Sequence, residues 1–152
     1  MNGEYHWDLD EGTKLQVRKW QREVFVDIRK FYNDKPTTKG IALRPELFAR
    51  LVALRERILA AIDLVKTANT ADLSDEVKGA SGDCWRDPEG SIVFLLDKNT
   101  KAKVYKFKNH LLVDIRSFFK DAPTKKGISL APALFNKLLD WSDWQVVVNK
   151  VK

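Results

Sequence analysis

The chain has 152 residues, 44% of them hydrophobic, and 27 Lys or Arg against 21 Asp or Glu give a net charge of +6. That length fits one ordinary domain or two very small ones, and half of it alone sits near the size where a core is marginal, so any two halves are expected to pack on each other. A single cysteine, Cys84, excludes an intrachain disulfide and a cysteine-based metal cluster, no apolar run is long enough to span a membrane, and the first residues, MNGEYHWDLDEG, carry no signal-peptide pattern.

Tyr5 to Asp10 alternates Trp7 and Leu9 with His6 and Asp8, as a short strand does. A turn at Glu11-Gly12 leads into a second strand, Lys14 to Trp20, and Gln21-Arg22 connects it tightly to a third, Glu23 to Phe31. Asn33 to Pro36 reads as a loop, because proline cannot donate to a sheet ladder, and the fourth strand is expected from Lys39 to Leu43. Pro45 suits the first turn of a helix. From Glu46 the apolar period becomes helical, with Leu47, Leu51, Leu54, Ile58, Ala61 and Ile62 on one stripe, so one helix is predicted to about Lys66. Residues 67–91 are small, polar and acidic, the composition of a linker, with one helical turn expected between Asp72 and Lys78. Cys84 reads there as an incidental thiol, and Trp85 as a side chain packed onto one of the halves.

The plan then repeats. VDIRKFYNDKPTTKGIAL, from Val26, returns as VDIRSFFKDAPTKKGISL from Val113; Asp114 follows Asp27 by 87 residues, and Gly127 follows Gly40 by the same number. The offset also pairs Trp7 with Phe94, Val17 with Val104, Pro45 with Pro132 and Phe48 with Phe135 without a gap. Two copies of so long a period point to two like domains or to two halves of one pseudo-symmetric domain, not to a solenoid. The second copy is predicted as strands at Ile92–Asp97, Lys101–Phe107, His110–Phe118 and Lys126–Leu130, with a helix from Pro132. Ser142 can cap a fresh turn, so a break is expected before Gln145; the closing QVVVNKVK has strand-like composition. The fold class is therefore α+β, with boundaries at residues 5–66, 67–91 and 92–152. Charge follows these boundaries: 13 basic and 10 acidic side chains in residues 1–66, 2 and 6 in 67–91, and 12 and 5 in 92–152.

A four-stranded antiparallel sheet buries one face under its helix and leaves the other for solvent or a ligand. Alternation assigns Lys14, Arg18, Trp20, Phe25 and Arg29 to that free face in the first copy. In the second it assigns Lys101, Lys103, Tyr105, Phe107, Leu112 and Arg116. Rings interleaved with cations suit single-stranded nucleic acid, whose bases stack while its phosphates are neutralised. Pattern alone leaves open that Trp20 and Phe25 pack between the halves, and that Arg29 and Arg116 only pair with Asp27 and Asp114, two residues away.

The motif VDIR-x-F-(Y/F) followed by KGI-(A/S)-L-x-P, present in both copies, resembles the positive-cofactor-four family of single-stranded-DNA-binding transcriptional coactivators. The resemblance implies a strongly curved four-stranded sheet with a C-terminal helix, and a dimer whose two sheets form antiparallel channels for melted duplex. Two copies in one chain then make an intramolecular pseudo-dimer, expected to be monomeric. Carried over residue by residue, the stacking aromatic that ends the second strand is Trp20 and Phe107, and the basic residue after it is Gln21 and Lys108. The next basic position is Glu23 and His110, the motif arginine Arg29 and Arg116, the second aromatic Tyr32 and Phe119, and the lysine before Gly-Ile is Lys39 and Lys126, with Lys125 beside the latter. Gln21 and Glu23 depart from the pattern, which favours the second channel. The family's Ser- and Lys-rich N-terminal region is absent from this sequence.

Among the residues, nothing forms a nucleophile–base set, a metal-ligand cluster or a phosphate loop; His6 and His110 fall at unrelated positions of the repeat. The expected activity is non-enzymatic and cofactor-free: sequence-nonspecific binding of single-stranded DNA in the nucleus, in coactivation with the transcription machinery or in protection of melted DNA, with no membrane partner. The alternatives are a single-stranded RNA binder and a protein-interaction module of a transcription complex.

Overall fold

The computed structural model describes residues 5–79 and 81–152; part of the N-terminal stretch read above for a signal peptide lies outside them. In chain order it has β1 (Tyr5–Asp8), β2 (Thr13–Trp20), β3 (Glu23–Tyr32), β4 (Lys35–Leu43), α1 (Pro45–Ala53), α2 (Arg55–Lys66) and α3 (Asp75–Lys78). There follow β5 (Cys84–Arg86), β6 (Ile92–Asp97), β7 (Thr100–Phe107), β8 (His110–Phe119), β9 (Ala122–Leu130), α4 (Pro132–Leu139) and α5 (Trp144–Val151). All the described strands join one open, curved antiparallel sheet in the order β1-β2-β3-β4-β9-β8-β7-β6-β5. The copies meet at its centre, where β4 pairs with β9 at a single position, Gly40 opposite Gly127.

The hairpins that shape each half turn on two residues with positive φ: Gln21-Arg22, Asn33-Asp34, Lys108-Asn109 and Lys120-Asp121. Such turns match the right-handed twist of the strands they join. One sequence expectation fails here. The loop expected for Asn33 to Pro36 shrinks to the turn Asn33-Asp34, since β4 starts at Lys35 with Pro36 opposite Phe31; in the second copy β9 likewise starts at Ala122, with Pro123 opposite Phe118. Each proline stands one pair from the hairpin's closing pair. Hydrogen-bonded and non-bonded pairs alternate along an antiparallel ladder, so its missing N–H faces away from the partner strand.

The helices also depart from the single run predicted for residues 46–66. The chain breaks at Leu54, whose φ of -86° and ψ of -1° leave the helical path; its N–H is shared between the carbonyls of Arg50 and Leu51 at 3.0 and 3.2 Å. The break lets the two segments diverge over the one sheet. Helix α1 lies on β3 and β4 of its own copy and reaches β6 of the other, whereas α2 crosses wholly onto β6, β7 and β8 of the other. The second copy does the same, with α4 on β8 and α5 on β2 and β3. The terminal QVVVNKVK is thus helical in α5, because tertiary packing of Val148 and Val151 overrides β propensity. Trp141, in the break before α5, stacks on Tyr5 at 5.4 Å and meets the edge of Phe48 at 6.0 Å, while Trp144 meets Phe48 at 5.2 Å. One continuous apolar cluster therefore spans both copies.

The segment between the repeats is built in. Asp83 accepts hydrogen bonds from Arg50 and from Arg57, the latter at 3.1 Å, and Arg57 also donates to the carbonyls of Val77 and Lys78 at 2.9 and 2.7 Å. Beyond Asp83, β5 pairs along β6, and Cys84 turns into the core. Burial pushes the Cys84 thiol above its ordinary range, the Arg57 charge opposing. Among the described residues no helix is long and apolar enough to cross a membrane.

Because α2 has its apolar stripe of Ile58, Ile62 and Val65 on the other copy's sheet, a fragment of residues 1–79 should not be a folded monomer. Circular dichroism should show no cooperative melt for it, or sedimentation should show a dimer. A cooperative monomer would mean that the exchange of helices is dispensable.

Candidate nucleic-acid interface

The face opposite the helices is organised by a repeated arginine–aspartate–glycine unit. Arg29 Nε and Nη2 donate to the two carboxylate oxygens of Asp27 at 3.1 and 3.0 Å, and Nη1 donates to the Thr37 carbonyl at 2.9 Å. Arg116 repeats this with Asp114 at 3.0 and 2.9 Å and with the Thr124 carbonyl at 2.8 Å. These charge-assisted bonds, above all the one to Asp114, raise the Arg116 pKa further. Asp27 stands on the free face yet is wholly buried, because its own arginine covers it. To do so the arginine lies flat across the neighbouring strand, where only glycine fits: a Cβ on Gly40 would come within 2.9 Å of Arg29 Cβ and 2.7 Å of its Cζ, and a Cβ on Gly127 would come within 2.6 Å of Arg116 Cζ. Both readings left open for these arginines meet here. They are ion-paired, and they still form part of the floor of the face.

Around this floor stand the rings. Most of the aromatic side chains are buried or half-buried. Trp20, Tyr32, Phe107 and Phe119, the two pairs picked out by the repeat, are 61%, 73%, 46% and 67% exposed. Each ends a strand beside a hairpin turn, so no neighbouring strand covers it. Lys108 lies over Phe107 at 5.3 Å and Lys120 over Phe119 at 5.5 Å. His110 is the register partner of Phe107 and is exposed.

A groove of about 650 Å³ runs over the first copy's face between Arg18, Trp20, Phe25 and Arg29. Its far wall comes from the second copy, with Lys125 and Lys126 of β9. The first face, which lost charge at Gln21 and Glu23, thus faces two lysines from the other repeat. The second face differs in its floor. There Tyr105, Leu112 and Ser129 replace Arg18, Phe25 and Ala42, and Ser129 donates to Asp114 at 2.8 Å while Tyr105 lies 2.9 Å from the Ser129 oxygen. The serine proton is committed to the carboxylate, so the tyrosine is the donor, and its ring is held down onto the sheet.

The remaining lysines divide. Lys39, Lys125 and Lys126 are exposed. Lys14 lies 4.8 Å over Phe31 and 4.0 Å from Asp34; Lys101 lies 4.3 Å over the equivalent Phe118. Lys103 pairs with Asp87 at 3.4 Å, a partner from the segment between the repeats. Sequence reasoning assigned no role to Phe31 and Phe118, although the repeat and the alternation both mark them. Among the described residues no cluster of side chains could hold a metal ion.

The glycines give a direct test. Gly40→Ala and Gly127→Ala should each cost about 1–3 kcal/mol in urea unfolding, since Arg29 or Arg116 must be expelled from its seat. Gly12→Ala is the control, its nearest contact being 3.7 Å away, and should cost less than about 1 kcal/mol. Equal stability of all three would show that the arginines are not seated as described.

Comparison with known proteins identifies the repeat. The family model described as Transcriptional Coactivator p15 (PC4) matches the chain twice, over residues 7–54 and 94–141. Neither the curated proteins nor the solved structures compared include a match. The chain belongs to that coactivator family, in a tandem form.

Proposed function

We propose that this tandem member of the coactivator family binds single-stranded DNA without sequence preference, through two faces on one monomeric chain, and acts in the nucleus on melted DNA during transcription. The repeats 5–66 and 92–152 are the two binding units, and residues 67–91 join them. The observation that carries this reading is the set of four exposed rings, Trp20, Tyr32, Phe107 and Phe119, standing in equivalent places at the hairpin ends of the two copies. Exposing four large rings is unfavourable for a protein that binds nothing, because each leaves apolar area in water. Bases stack on such rings at about 1–3 kcal/mol each, and unpaired strands alone offer their faces.

Cations complete the site. Lys14, Arg18 and Lys39, and Lys101, Lys103, Lys108, Lys125 and Lys126, neutralise phosphates, while Arg29 and Arg116 form the floor beside Gly40 and Gly127. Stacking and phosphate neutralisation read no base code, so sequence preference is slight. The higher charge of the second copy does not leave the first face idle, because Lys125 and Lys126 wall the first groove. No catalytic step is proposed.

Fluorescence anisotropy of a ~20-nucleotide single strand, with duplex and RNA controls over a salt series, tests this. Binding should favour the DNA single strand. Trp20→Ala and Phe107→Ala should each weaken it about 5- to 150-fold. Lys125→Ala/Lys126→Ala should flatten the salt slope by about 1–2. Equal affinity for duplex and single strand, insensitive to the ring variants, would overturn the reading in favour of a protein-interaction module; a preference for the RNA control would move it to single-stranded RNA.

A further inference from the structure

The stretch between the repeats adds to the second face a strand, β5, with no counterpart in the first among the described residues. Register runs from Trp85 in β5 to Val93 in β6 and from Val93 to Lys103 in β7. Side chains alternate across a strand, so Trp85 lies on the same face as Lys101, Lys103, Tyr105 and Phe107, while its neighbour Cys84 faces the core. Trp85 precedes the first strand of the second repeat, β6, and lies outside the repeated unit. Nothing in the family motif accounts for it.

Three observations make Trp85 more than a packed linker residue. It is 37% exposed, whereas the other tryptophans outside the proposed channel, Trp7, Trp141 and Trp144, are part of the core packing. The Lys101 ammonium lies between two rings, 5.6 Å from Trp85 and 4.3 Å from Phe118, and among the described residues no carboxylate pairs with it. The backbone on either side is anchored: Asp83 by Arg50 and Arg57, Arg86 by its bonds to the carbonyls of Gly90 and Ala71 at 3.1 and 3.2 Å, and Asp87 by Lys103. A ring held in place beside an uncompensated cation needs little ordering to accept a base and its phosphate.

We infer that Trp85, with Lys101, is a further single-strand contact, which extends the footprint of the second face past the repeated unit to the outer edge of the sheet. This rests on the strand-binding reading above. A base stacks on Trp85 while Lys101 meets the adjoining phosphate, so the two faces of the chain hold strands of unequal length.

Anisotropy with the same single strand tests this on the full chain, using Trp85→Ala and Trp85→Phe. Trp85→Ala should weaken binding at least about fivefold, with Trp85→Phe recovering most of it, because a ring and not a volume is required. Photocrosslinking of wild-type protein to a bromodeoxyuridine-substituted strand, with the adducts mapped by mass spectrometry, should label the peptide ending at Arg86. That measurement needs no variant to fold. If Trp85→Ala binds like wild type and adducts appear only at the four repeat-encoded rings, this inference fails while the channel reading stands. If wild type binds no single strand, both fail.

Discussion

Two arginines laid flat across two glycines hold the centre of this sheet. Arg29 must reach over β4 to complete its bonds to Asp27 and the Thr37 carbonyl, and a single methyl group on Gly40 would block it. The same glycine is where β4 meets β9, opposite Gly127 with Arg116 above it. So the buried carboxylate, the missing side chain and the junction between the copies are one constraint met twice. Breaking either ion pair leaves a charge in a site with little water, at a cost of about 3–5 kcal/mol. Asp-x-Arg on one strand and Lys-Gly-Ile on the next are therefore coupled by geometry.

That central junction is narrow, and the helices supply the remaining cohesion. Each helical arm breaks after its first segment and lays the second across the other copy's sheet. Trp141 and Trp144 of the second repeat close around Phe48 and Tyr5 of the first. Stability is thereby concentrated on the helix side, and the opposite face is left free of packing duties. Exposed rings at the hairpin ends are tolerable because the core does not depend on them.

Much of this was legible in the chain. An ungapped offset of 87 residues fixed the repeat, alternation marked Trp20 and Phe107, and the family resemblance added Tyr32 and Phe119; all four are exposed. The misread parts have physical reasons. Pro36 was read as a loop because the rule against proline in strands ignores which ladder position it occupies. The break at Leu54 was invisible because the apolar period continues through it, although the two segments cover different strands of the sheet. Strand β5 was missed because three residues among Gly, Ser and Asp carry too little pattern to outweigh their composition.

By itself the sequence determined the architecture of one repeat, its duplication, and which rings and cations share a face, because alternation and turn chemistry are local. Tertiary structure alone decided how the copies combine: that the second helical segments cross to the other copy's strands, that Lys125 and Lys126 wall the other copy's groove, that Tyr105 is tied down through Ser129, and that Trp85 joins the second face. Each of these depends on side chains distant in sequence meeting across the pseudo-twofold or along an added strand. No local period encodes such a meeting.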